Sequence, residues 1–130
     1  MITKIVHKEF YKNYLKKAEE FLESCNKAFN NGSWNSCVIN AIHCGISASD
    51  ALTVFYLGLR HSGEKHEDVA DLLKKTNLKD IKIKINQLIS LLSLKNKTEY
   101  GEVLMDKHNA ENAKKHAERF LSYVKSALRE

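Results

Sequence analysis

The sequence predicts an all-α fold: an antiparallel four-helix up-and-down bundle with one additional short helix, occupying residues 1–130 as a single domain. Three observations support this prediction. The 130 residues contain no proline and only five glycines, so few positions interrupt a helix. Apolar residues recur at helical spacing along most of the chain. The length suits one domain, and 43% hydrophobic with 28% charged residues is a globular balance.

Two long helices are predicted first. The first carries an apolar stripe along residues 10–29, and the Asn-Asn-Gly sequence at 30–32 ends it. The second, over residues 34–59, is apolar around most of its circumference, which is typical of a central helix. Small residues around Gly45 allow an antiparallel neighbour to approach closely.

Three further helices follow. The first is short and is predicted to be capped by Ser62. The next carries an apolar stripe over residues 81–92, although Ile81–Ile85 alternates as a strand does. A lone strand would have no partner in an otherwise helical chain, so a helix is favoured. The last helix is predicted to begin near Asp106 or Asn109.

Composition excludes several classes of protein. The net charge of +5 is spread along the chain, so it permits a nucleic-acid partner without requiring one. Cys25, Cys37 and Cys44 have neither zinc-knuckle nor redox spacing, and they are predicted to be buried in a reducing cytosol. No apolar run approaches the roughly 20 residues of a membrane span. The sequence therefore predicts a cytoplasmic protein without membrane contact.

Two polar residues on the central helix are candidates for function. His43 would need further ligands to hold a metal, and none is close in sequence, so a packed, hydrogen-bonded histidine and no metal site are predicted. Asp50 lies among apolar residues and is a candidate binding residue. The alternative for Asp50 is exposure to solvent or a pair with a lysine of another helix.

Arg60 and His66 flank the turn after the central helix and are further candidate binding residues. A histidine can move the proton of an RNA 2′-hydroxyl, and an arginine can stabilise charge on the phosphorane. The alternative is structural. Arg60 would then lie at a helix end, and His66 would bond to Glu64, Asp68 or the backbone.

The order of these segments resembles the HEPN domain family. The resemblance rests on the small residues of the core helix and the Gly and His that follow it in residues 33–73, on KNKTEYG at 95–101, and on the alanine-spaced final segment at 108–128. It implies a four-helix bundle with a short extra helix, usually dimeric. Many members are metal-independent endoribonucleases of toxin–antitoxin or defence systems, and others act as binding modules. No cofactor is implied.

The family's catalytic signature is an arginine followed after four to six residues by a histidine, near the start of the final long helix. Lys95, Asn96 and Tyr100 occupy that place here. Lysine lacks the planar grip of arginine on phosphate, and tyrosine, with an ordinary pKa near 10, is a poor base at neutral pH. Arg60 and His66 have the signature spacing but stand in a different helix connection.

The sequence therefore predicts a dimeric, catalytically degenerate HEPN-like protein that binds RNA, a nucleotide or a protein partner, such as a nucleotidyltransferase-like protein. The alternative is a metal-independent endoribonuclease that cleaves single-stranded RNA through Lys95, Asn96 and Tyr100, or through Arg60 and His66. An unrelated helical scaffold or an immunity-type inhibitor is the third possibility.

Overall fold

The computed structural model describes residues 1–129, so Glu130, the last residue of the predicted domain, lies outside the described residues. Within them are six α-helices, one 3-10 helix at Lys8–Phe10 and two short strands. The strands are β1 (Thr3–Ile5) and β2 (Leu59–His61), and the helices are α1 (Tyr11–Asn30), α2 (Trp34–Leu57), α3 (His66–Lys74), α4 (Ile81–Leu92), α5 (Lys95–Tyr100) and α6 (Lys107–Leu128). The predicted all-α fold class is confirmed.

Helices α1 and α2 form an antiparallel hairpin. Beside the connecting turn, the rings of Phe29 and Trp34 pack with their centroids 5.4 Å apart. At the far end of the hairpin, Tyr11 packs against Phe55 at 4.9 Å. Gly58 ends α2 with φ at +66°, a left-handed conformation that glycine adopts without strain. The central helix is therefore two residues shorter than predicted.

Helix α2 runs parallel to α6 at the centre of the bundle. Near the first turns of both helices, the Cys37 thiol lies 3.8 Å from the carbonyl oxygen of Ala110. Near their last turns, the Tyr56 hydroxyl donates a 2.9 Å hydrogen bond to the carbonyl oxygen of Ala127. Because the first turns of the two helices lie together and their last turns lie together, α2 and α6 are parallel.

Helix α4 runs antiparallel to both central helices. Just before its first turn, the carbonyl oxygen of Lys79 accepts a 2.7 Å hydrogen bond from Tyr123, in the second half of α6. Its last turns pack beside Gly45 of α2, where an added Cβ would lie 2.9 Å from Leu88 and 3.1 Å from Leu91. The close approach predicted for Gly45 is confirmed, and α1, α2, α4 and α6 run up, down, up and down.

The core is built around α2. The expectation that no apolar run approaches the length of a membrane span is wrong, because this helix is long and apolar enough to cross a membrane. However, 72% of its most apolar window is buried inside the molecule, as expected of a core helix. All three cysteines are buried and free, as predicted. The sulfur atoms of Cys25 and Cys37 lie 3.6 Å apart between α1 and α2.

The fold departs from the prediction in three places. Residues 95–100, which the sequence analysis did not assign to a helix, form α5, so the bundle has two short additional helices and not one. Strand β1 pairs antiparallel with β2. Helix α3 begins at His66 after Lys65, so the prediction of a cap at Ser62 is wrong.

Candidate functional site

One pocket brings together residues that are far apart in the sequence. It encloses about 320 Å³, which is within the range of small-molecule sites, and it lies between α2, β2, the start of α3 and the α4–α5 junction. All six residues that the sequence analysis selected as site candidates line it: Asp50, Arg60, His66, Lys95, Asn96 and Tyr100. The two candidate groups, at 50–66 and at 95–100, therefore face one cavity.

Asp50 and Arg60 form a pair at the base of the pocket. Asp50 is only 6% exposed, and its Oδ2 atom accepts a 3.5 Å hydrogen bond from Nε of Arg60. Burial raises the pKa of Asp50 to about 6, and the positive charges of Arg60 and Lys17 oppose this rise. The alternative for Asp50, exposure to solvent or a pair with a lysine, is wrong, because β2 brings an arginine to it.

The Arg60 side chain retains donors for a ligand. Its guanidinium lies 5.9 Å from the centre of the Tyr14 ring, which supports it from α1. Within residues 1–129 its side chain donates one hydrogen bond, the one to Asp50. A guanidinium carries five N–H donors, so four remain.

His61, which was not among the candidates chosen from the sequence, also lines the pocket. Its Nε2 atom is buried without a hydrogen-bond partner among the described residues. Burial lowers the pKa of His61, which favours the neutral ring at neutral pH. No local pattern singles out this residue, because it reaches the pocket through the pairing of β2 with β1.

His66 opens α3 and faces the same cavity. In the described part of the chain its side chain makes no hydrogen bond, so the bond to Glu64, Asp68 or the backbone that the structural alternative requires is not formed. The pocket thus holds two histidines and one arginine within seven consecutive residues.

Helix α5 supplies three further lining residues of the pocket. Lys95 and Asn96 lie in its first turn, and Tyr100, 80% exposed, ends it at the mouth of the pocket. A hydrogen bond of 3.1 Å between Glu99 Oε1 and His43 Nε2 ties α5 to α2. The prediction that His43 is packed and hydrogen-bonded is therefore confirmed.

The pocket offers charged and hydrogen-bonding groups to a polar ligand. Arg60 and Lys95 supply positive charge, the carboxyl groups of Asp50 and Glu64 line the same pocket, and the Asn96 amide offers both a donor and an acceptor. Tyr100 offers an exposed ring on which a planar group can stack. Over residues 1–129, no group of three or more His, Cys, Asp or Glu side chains is arranged to hold a metal ion.

Comparison with known proteins identifies the family. The family model of the HEPN domain matches residues 11–127, from the first residue of α1 to the last turn of α6, and leaves β1 outside the match. A comparison with curated proteins gives no significant match. The family match agrees with the helical bundle described above, and the chain therefore belongs to the HEPN domain family.

Proposed function

We propose that this chain acts as one cytoplasmic HEPN domain that binds a phosphate-bearing nucleotide, free or within an RNA, and that it has lost catalysis. The observation that supports this proposal is the meeting of Arg60 and Lys95 in one pocket of nucleotide size. These two residues come from separate elements, β2 and α5. A guanidinium and an ammonium group in one pocket offer complementary charge to a phosphate group.

The other walls suit the rest of a nucleotide. The exposed ring of Tyr100 stands at the mouth of the pocket, where a base can stack on it. The Asn96 amide beside it can pair with the polar edge of a base. Ile46 and Leu92 provide an apolar floor for the sugar and base.

Loss of catalysis is proposed from the residues at the family's signature place. Lys95 keeps a positive charge there, but Tyr100 replaces the proton-transfer group with a phenol whose ordinary pKa is near 10. The signature place then retains binding groups without the histidine that serves as the base in the family's signature.

Binding is tested with ATP and with a single-stranded RNA oligonucleotide as probes, by titration calorimetry. Arg60→Ala and Lys95→Ala should each weaken binding about tenfold or more, since each removes a charged contact. Lys115→Ala is the matched control, because Lys115 is an exposed lysine of α6 outside the pocket. Absence of binding of both probes to the unaltered protein would refute the proposal.

A metal-independent endoribonuclease is the second candidate, and the position of His66 favours it. Arg60 and His66 have the family's signature spacing and line the pocket together. A ribonuclease of this kind should cleave single-stranded RNA in the presence of EDTA, and His66→Ala should abolish cleavage. No cleavage across a panel of RNAs would exclude it.

A homodimer is the proposed assembly, in a toxin–antitoxin or defence setting with a nucleotidyltransferase-like protein as partner. Exposed apolar side chains at the end of α5 and in the segment that follows it support a protein contact there: Tyr100, Val103 and Leu104 are 80%, 56% and 78% exposed. Light scattering tests the dimer, and co-expression with a nucleotidyltransferase-like protein tests the partner. A monomer at micromolar concentration would contradict the proposed assembly.

A further inference from the structure

The strand that carries two pocket residues is held by a segment outside the HEPN match. Strand β2 contains both Arg60 and His61. It pairs antiparallel with β1, which lies before the matched residues 11–127. The pocket therefore depends on backbone contacts that the matched domain does not itself supply.

The hydrogen bonds at the two ends of this pairing fix its pattern. The Ser62 N–H donates to the carbonyl oxygen of Ile2 at 3.1 Å, and the Val6 N–H donates to that of Gly58 at 3.0 Å. Between these ends the register places Lys4 opposite Arg60. Hydrogen-bonded and non-hydrogen-bonded pairs alternate in an antiparallel ladder, so Lys4 and Arg60 form a hydrogen-bonded pair. The N–H groups of Thr3 and Ile5, on either side of Lys4, therefore point away from β2.

The side chain of Arg60 adds only a weak restraint to this backbone pairing. Its side-chain bond to Asp50, at 3.5 Å, is at the long end of hydrogen-bond distances. The three residues of β1 are all exposed, so β1 contributes little to the core of the bundle. A two-stranded ribbon is marginally stable in water. Strand β1 can therefore be disturbed without unfolding the helices.

We propose that β1 is a positioning element for the pocket, and that its backbone hydrogen bonds to β2 hold Arg60 and His61 in the orientation that receives the phosphate-bearing ligand. This inference rests on the proposed function. Lys4 acts through its backbone, opposite Arg60, and its side chain takes no part.

Three variants of β1 separate backbone pairing from side-chain chemistry. Lys4→Pro removes an N–H that bonds to β2, while Ile5→Pro removes one that points to solvent, where an edge strand accepts proline. Lys4→Ala removes the charge and keeps the N–H. With ATP as probe, Lys4→Pro should weaken binding about tenfold, and the other two variants should bind within about twofold of the unaltered protein.

A double-mutant cycle with Arg60→Ala distinguishes positioning from general destabilisation. In the Arg60→Ala background, Lys4→Pro should have little further effect on ATP affinity, because the residue it positions is gone. Additive losses would overturn the proposal. Loss of the helical circular dichroism signal in Lys4→Pro would also overturn it, because β1 would then belong to the folding core.

A measurement that needs no ligand keeps this inference separate from the proposed function. Arg60 and Lys17 are the charges that oppose the raised pKa of Asp50, so displacement of Arg60 should raise that pKa further. A carboxyl titration by NMR should show this rise in Lys4→Pro but not in Ile5→Pro. If ATP does not bind the unaltered protein, the proposed function fails. An unchanged Asp50 titration in Lys4→Pro would refute the positioning role.

Discussion

Replacing Asp50 with asparagine should change how the stability of the bundle depends on pH. Burial raises the pKa of this carboxyl from its ordinary 3.8 to about 6, against the opposing charges of Arg60 and Lys17. The folded protein therefore holds the Asp50 proton more tightly than the unfolded chain does. Between these two pKa values, the contribution of Asp50 to stability falls as the pH rises, and above pH 6 it stays at its lowest value.

The size of this effect follows from the two pKa values. Each tenfold change in proton affinity corresponds to about 1.4 kcal/mol, so the ionised Asp50 costs the fold about 3 kcal/mol at pH 7.5. At pH 4.5 the folded protein still holds the proton, and the cost is about 1 kcal/mol. Asparagine has a similar shape and does not titrate. The stability difference between Asp50→Asn and the unaltered protein should therefore shift by about 2 kcal/mol in favour of asparagine between these pH values.

Urea unfolding of both proteins at pH 4.5 and 7.5 measures this shift, because all other titrating groups are common to the two and cancel. Asp71→Asn, which removes an exposed carboxylate from α3, is the matched control. The stability difference between Asp50→Asn and the unaltered protein could instead be the same at both pH values. That result would refute the assigned cost of burying the Asp50 carboxylate.

Three further substitutions test the packing and the site. The added methyl of Gly45→Ala would stand 2.9 Å from the end of the Leu88 side chain. Overpacking of about 1–3 kcal/mol should exceed the gain of about 1 kcal/mol that alanine brings to a helix interior, so the free energy of unfolding should fall by up to about 2 kcal/mol; a more stable variant in urea would contradict the close approach of α4. Gly101→Ala should cost about 1–3 kcal/mol, since its Cβ would lie 2.5 Å from the Lys97 carbonyl oxygen; unchanged unfolding would argue against this geometry. Glu99→Ala should weaken ATP binding about tenfold, because it removes the hydrogen bond to His43 that joins α5 to α2, whereas Glu99→Gln should preserve binding. Equal ATP affinities of the two variants, measured by calorimetry, would show that this hydrogen bond has no role in binding.

The long helices were predictable because burial sets their sequence pattern. Helix α2 is apolar around most of its circumference, and the structure buries it on several sides. Helix α5 has no such pattern, because its six residues bury only the Thr98 side chain. A stripe cannot be recognised in so short a segment.

Strands β1 and β2 were not predicted, and this explains why Arg60 was not predicted as the partner of Asp50. Thr3–Ile5 is exposed throughout and pairs with residues more than fifty positions away, so neither alternation nor local turn chemistry reveals it. Arg60 reaches Asp50 through that pairing. Without the strand, the sequence offered only solvent or a helical lysine as a partner. All six candidate residues line one pocket, but no local pattern in the sequence indicates that β2 and α5 bring them together.

The three buried thiols make the native protein nearly inert to alkylating reagents. Such reagents need an accessible thiolate, and Cys25, Cys37 and Cys44 are all 0% exposed. Burial also raises the pKa of Cys44 to about 12. The rate at which these sulfurs are modified therefore follows the opening of the α1–α2 hairpin. A single cysteine introduced on the surface would accept a spectroscopic label alone, with the native thiols left in place.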